Sequence, residues 1–304
     1  MKKALSIFLL LLSLLVFKNI AYAQQEIDAC FNFIEAGDYK RAIEAGQSAI
    51  KKYPYNVKAY FCLGYAYRNV GELKSAYDTM KKAESLANNK EVLMYIYNEI
   101  GLILYRMNRL DDALLYFNKS LSLTKDLGNT AMQADLLNII AGIYNYKGEI
   151  DKALSYFEES LSLKTNEKDK VAIYNNIALI YSKKGDYQKA VEYFQKAIEI
   201  NEKYGDYHQA SQSKLSLGVI YREMKDYENA EKYLSEGLEG VKKVGDKNWE
   251  VVGYWDFGLL YRDKGDKKTA KEYFTRAYNL FKSIGAEGYA QSVLNDMKKL
   301  DEAK

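Results

Sequence analysis

One short pattern is written seven times along this chain, and that repetition constrains the fold more than any other feature. Aligned on an alanine, the copies fall at Ala42, Ala76, Ala113, Ala153, Ala190, Ala230 and Ala270, spaced 34, 37, 40, 37, 40 and 40 residues apart. Twelve residues before each alanine stand Cys30, Gly64, Gly101, Ala141, Ala178, Gly218 and Gly258, all small. Three residues after these come Phe33, Tyr67, Leu104, Tyr144, Tyr181, Tyr221 and Tyr261; four after the alanine come Gly46, Met80, Phe117, Phe157, Phe194, Leu234 and Phe274. A fixed period of this size marks stacked supersecondary units, each burying its apolar face against the next.

The copy at residues 171–206 shows what one unit is. Tyr174, Ile177, Ala178 and Tyr181 form the i, i+3, i+4, i+7 stripe of an amphipathic helix. Gly185 suits a helix C-terminus and Asp186 caps the next helix, whose stripe is Ala190, Phe194, Ala197 and Ile198. Two short helices and a tight turn make a helix hairpin. Small residues at matching points let the paired backbones approach; a large side chain there costs ~1–3 kcal/mol. The expected fold is all-α: an α-solenoid of seven hairpins over residues 24–285, closed by a capping helix within 286–304. That last helix is expected to pack through Tyr289, Val293 and Met297. With one Pro and no Gly- or Ser-rich run, no domain boundary is expected inside the array.

These columns resemble the tetratricopeptide repeat (TPR) family. Tyr60, Leu63, Gly64, Tyr67, Ala76 and Ala83 match its pattern in the second copy, Met80 departs at the Phe position, and Pro54 supplies the late proline of the first copy. The 37- and 40-residue spacings are expected to lengthen chiefly the second helix, as in SLSLTKDLGN and AIEINEKYGD. They resemble the long-repeat subclass of kinesin light chains, Leu-Gly-Asn-type polarity scaffolds and bacterial peptide-sensing regulators. The resemblance implies a protein or peptide held in a concave groove lined by the first helices. The Lys and Asn of carboxylate-clamp relatives are replaced by Ile27 and Phe31, which argues against a chaperone-tail ligand.

The N-terminus reads as an export signal of residues 1–23. Lys2 and Lys3 precede an apolar run at 4–17, too short to span a membrane, and Ala21-Tyr22-Ala23 is a cleavage pattern. Lys18 lies between the apolar run and that pattern. The remaining chain then carries 41 basic and 41 acidic residues, from 44 and 41 in the whole sequence. A neutral chain without a basic run suits neither nucleic acid nor an anionic membrane. The expected location is periplasmic or secreted, in a bacterium; oligomeric state is not legible.

Little points to catalysis. His208, the single histidine, falls in the stretch YGDYHQ and reads as a solvated loop residue without partners for a metal or a triad. No Gly-rich phosphate loop, nucleophile elbow or HExxH occurs, and no metal or cofactor is expected. Cys30 and Cys62 read as buried thiols in adjacent first helices, a disulfide being the alternative outside the cytoplasm. Helix axes ~8–10 Å apart disfavour the bridge.

Three residues before the small slot, the row runs Ile27, Phe61, Asn98, Asn138, Asn175, Leu215 and Trp255. Asn98, Asn138 and Asn175 form a ladder whose amides both donate and accept, as the backbone of an extended peptide requires. Phe61 and Trp255 flank it as aromatic anchors; Arg68, Arg106, Lys183, Arg222 and Arg262 stand at the edge as receivers of carboxylates. The plain alternative is a chain rich in Asn with solvated arginines. The expected activity is non-catalytic binding of a protein or peptide; a self-associating envelope or sensor module is the rival, and an enzyme acting on cell-wall glycan the weakest reading.

Overall fold

The computed structural model of the protein describes residues 25–302. The export signal expected over residues 1–23 lies outside them. Among the described residues there are fifteen α-helices, one short 3-10 turn and no strand. They form two compact units that divide between Leu163 and Lys164.

The first unit contains α1 (Gln25–Glu35), α2 (Tyr39–Lys52), α3 (Val57–Val70), α4 (Leu73–Leu86), α5 (Lys90–Arg106), α6 (Leu110–Asp126), α7 (Thr130–Tyr146) and α8 (Ile150–Leu163). Odd and even helices pair in order, and each pair stacks on the next. The second contains the 3-10 turn Lys168–Lys170, α9 (Val171–Lys183), α10 (Tyr187–Lys203), α11 (Tyr207–Glu223), α12 (Tyr227–Lys243), α13 (Lys247–Asp263), α14 (Lys267–Ser283) and α15 (Glu287–Glu302). Here too the helices pair in order, and α15 packs on α14. No Pro or Gly marks the division. It falls in residues 164–170, KTNEKDK, which offer no apolar side chain to bury, and α8 stops short of them after 14 residues.

The hairpin turns follow the local chemistry. Gly185 adopts φ +77°, the left-handed conformation that ends α9, and Asp186 N–H closes back on Tyr181 O at 2.9 Å. The Asp186 carboxylate then accepts from Lys189 N–H and starts α10. Both helices of a long hairpin lengthen, not chiefly the second: α5 and α6 have 17 residues each, as do α11 and α12. The first helices grow at their N-termini, because the capping Asn or Asp sits earlier than the apolar stripe requires.

The seven aligned alanines are all fully buried. Opposite the glycine slots of the second, third, sixth and seventh hairpins lies the large residue of the same hairpin. A Cβ built on Gly101 would fall 2.7 Å from Phe117, and one on Gly218 2.7 Å from Leu234. Beside this contact the tyrosines stack in register: Tyr144 on Tyr156, Tyr181 on Tyr193, Tyr221 on Tyr233 and Tyr261 on Tyr273, with centroids 5.4–5.8 Å apart.

A second close approach, between α11 and α12, is not part of the aligned columns. A Cβ on Gly237 would lie 2.8 Å from Ser211 O and 2.9 Å from Leu215 N, and one on Gly240 would strike Ser211 Oγ. Because Gly237 faces backbone, a methyl group there forces the helices apart. Gly237→Ala is expected to lower stability by ~1–3 kcal/mol, with faster amide exchange in α11 and α12. Wild-type denaturant melting of this variant would show that the pair relaxes at no cost.

Two expectations change. Cys30 and Cys62 are joined by a disulfide with Cα atoms 6.3 Å apart, so they are not free thiols. The reach is short because Gly46 leaves room for the sulfurs: a Cβ there would be 3.3 Å from Cys30 Sγ. In α15 the buried face is Ala290, Val293 and Leu300; Tyr289 is mostly exposed, stacked on Phe281 at 5.4 Å.

Candidate functional site

The row before the small slot is carried by the first helix of each hairpin, and each unit holds its own part. In the first unit Asn98, on α5, is buried, and its Oδ1 has no hydrogen-bond partner among the described residues. Asn138, on α7, is half-buried; its Oδ1 is enclosed and equally unpartnered, so its accessible area lies on the rest of the side chain. In the second unit Asn175, on α9, is half-buried and accepts from Ser213 Oγ of α11 at 3.1 Å. One residue type at one repeat position thus has three different settings: buried and unpartnered, half-buried and unpartnered, and half-buried and bonded.

The two aromatic residues of the row are occupied. Phe61 is fully buried in the first unit's core. Trp255 Nε1 donates to Asp296 Oδ2 of α15 at 3.0 Å and its ring meets Phe281 edge-on. In the first unit the exposed aromatics of the first helices are instead Tyr105, at 42 %, and Tyr146, at 73 %, in the last turns of α5 and α7; in the second unit Tyr207, at the start of α11, is exposed too. In the second unit Leu179 of α9 is exposed as well. Tyr105 and Tyr146 stand four and five residues past the small slots Gly101 and Ala141, which is their signal in the sequence; Leu179 directly follows Ala178 and has no such signal.

The basic residues differ among themselves. Arg68 Nε lies 2.8 Å from Glu99 Oε2, with side chains 7 % and 8 % exposed. The oxygen sits off the N–H axis, so this is an ion pair without a well-formed hydrogen bond. The guanidinium also covers the Tyr65 ring at 4.7 Å. Burial pushes the Glu99 carboxyl above its ordinary range, with Arg68 pulling it back. Arg106 Nη1 donates to Arg68 O. Arg222 pairs with Asp263 at 2.8 Å and Glu223 at 2.5 Å; Arg262 pairs with Asp263 at 2.8 Å. Lys183 is exposed. Of the five, Arg68, Arg222 and Arg262 are therefore neutralised within the protein before any ligand arrives.

Asp256, next to Trp255 on α13, has some solvent contact, yet dense packing pushes its carboxyl up to about 7, with Arg222 drawing it down. Between about pH 4 and 7 the folded chain holds this proton and the unfolded chain has lost it. The contribution to stability is complete below about pH 4 and is lost as pH rises through about 7. Asp256→Asn removes that loss, and is expected to raise stability at pH 8 by roughly 2 kcal/mol after allowance for solvent contact. Denaturant midpoints at pH 5 and pH 8 measure it; an unchanged pH dependence in the variant would refute the assignment.

His208 is in the first turn of α11, not in a loop, and its Nε2 lies 2.9 Å from Asp246 Oδ2, the cap of α13. Gln212 Nε2 stands 3.2 Å from the same ring nitrogen. The ring ties successive first helices together. Among the described residues no group of three or more His, Cys, Asp or Glu is placed to hold a metal, and no helix is long and apolar enough to cross a membrane.

Known proteins share this arrangement. A tetratricopeptide-repeat model matches residues 92–166, 132–203, 169–243 and 209–283, and a second such model matches 45–78. The chain is 29 % identical over 153 residues to TPR repeat-containing protein MJ1428 of Methanocaldococcus jannaschii, covering 50 % of this chain and 24 % of that protein. It is 28 % identical over 151 residues to the transcriptional activator NprA of Geobacillus stearothermophilus, covering 48 % and 35 %. The matches thus take in about a quarter and about a third of those relatives' lengths. The crystal structure of a signal-transduction ATPase with a tetratricopeptide repeat sensor, PH0952 from Pyrococcus horikoshii, superposes with a TM-score of 0.74 at 22 % identity, over 90 % of this chain and 43 % of that one.

Proposed function

Because this chain belongs to the tetratricopeptide-repeat family, we propose that it is an exported scaffold that holds a protein or peptide partner on the first helices of its hairpins. The observation that carries the reading is the pairing, within the first unit, of exposed Tyr105 and Tyr146 with the amide row of Asn98 and Asn138 on the same two helices. Tyrosine offers a large contact area at small conformational cost, and half-buried Asn138 supplies a directional polar contact beside it. The partner lies along the first helices as an extended segment, and the scaffold acts by equilibrium binding on a largely preformed surface. Export is supported by the charged, apolar and small-residue order of residues 1–23 and by a buried disulfide, which suits an oxidising compartment.

A photo-crosslinking residue placed at position 146 is expected to capture a partner from the producing cell. The same residue at Leu115, 55 % exposed on second helix α6, is expected not to. With the captured partner in hand, Asn138→Ala is expected to weaken binding about 5–10-fold at unchanged helicity. Adducts from position 115 alone, or unchanged affinity, would remove the first helices from the reading. N-terminal sequencing tests export: Gln24 as the first residue supports it, and an intact Met1 in the cytoplasmic fraction contradicts it.

A further inference from the structure

The first hairpin is built unlike the other six. In those, the slot facing the small residue is filled by Met80, Phe117, Phe157, Phe194, Leu234 or Phe274, all enclosed. The first hairpin has Gly46 there, and the space holds the Cys30–Cys62 bridge. A Cβ on Gly46 would be 3.3 Å from Cys30 Sγ and 3.0 Å from Leu63 Cβ, so no larger plug fits while the bridge is present. Both cysteines are fully buried, and the bond joins α1 to α3 across α2. Ile27, Phe31 and Ile34 also bury α1, but the centre of the hairpin has a disulfide where the other six have a single large side chain.

We propose that docking of the first hairpin is coupled to thiol oxidation: α1 and α2 are fixed on α3 in the bridged chain and come loose when the two cysteines are reduced, while the hairpins from α3 onward stay folded. On oxidation each cysteine gives up its thiol proton and one electron. A disulfide reagent of the R–S–S–R class takes up both electrons and both protons and leaves as two thiols. Repeat arrays allow an end to open by itself, since a terminal hairpin contacts only one neighbour. The bridge therefore does for this end what one large buried side chain does in the other hairpins, and does it only where an oxidant is available.

Amide exchange read by mass spectrometry tests this on the full chain in three forms: oxidised, reduced under conditions that open buried disulfides, and Cys30→Ala/Cys62→Ala. Exchange over residues 25–52 is expected to quicken by roughly 100-fold or more in the two unbridged forms, with 57–163 within about 3-fold of the oxidised protein. Oxidised glutathione is expected to restore protection to the reduced chain and not to the alanine variant. Equal protection of 25–52 in all three forms overturns the proposal. So does loss of protection throughout the first unit, which would make the bridge a support of the whole unit.

Discussion

Arg68→Ala is expected to cost the first unit ~3–5 kcal/mol, because it leaves the enclosed Glu99 carboxyl without its counter-charge. The pair is 2.8 Å apart and both side chains are more than nine-tenths buried. Arg106 donates to the Arg68 backbone and draws the Glu99 carboxyl down only as the smallest influence on it, so it does not replace the lost guanidinium. The Glu99 carboxyl, already raised by burial, moves further up in the variant. The deficit therefore grows with pH as Glu99 is forced to ionise, and is smaller at pH 5 than at pH 8. The companion variant Arg68→Met/Glu99→Leu removes both charges and is expected to recover most of the loss. Denaturant unfolding of the three proteins at both pH values measures this. A single variant as stable as the wild type would mean that water reaches the carboxylate freely.

The second large effect is at the other end of the chain. Phe274→Ala is expected to cost ~3–5 kcal/mol, the usual loss for an aromatic removed from a filled core. Phe274 is fully buried against Gly258 and shares a cluster with Phe281, Ala290, Val293 and Leu300. Because that cluster fastens α15, loss of the ring is expected to fray the terminal helix and release Trp255 from Asp296. Tryptophan emission then shifts to the red at denaturant levels where the rest of the second unit keeps its helix signal. Cooperative loss of all helix at one midpoint would show that the end is not separately stable.

Much of the fold is legible in the sequence, and the reason is local. Gly185 with Asp186 ends one helix and starts the next by backbone and side-chain chemistry confined to a few residues. The columns at Gly101 and Phe117, or Gly258 and Phe274, are recognisable because repetition displays one contact many times. The candidate site was legible in its positions and not in its bonding. Asn98, Asn138 and Asn175 are alike in sequence, yet one is buried, one is half-open and one is tied to Ser213. The flanking aromatics also changed: Phe61 and Trp255 are packed away, while Tyr105 and Tyr146 are open.

The difference lies in the range of the interactions. Period, hairpin order, caps and small-residue slots depend on neighbours within about one repeat, so the sequence by itself determined an all-α repeat array. Which arginine is already paired and whether Cys30 meets Cys62 at 6.3 Å depend on side chains brought from separate hairpins. Those were decided only by the tertiary structure, because a charge or a sulfur has no fixed role until packing sets its distance to a partner and the amount of water left between them.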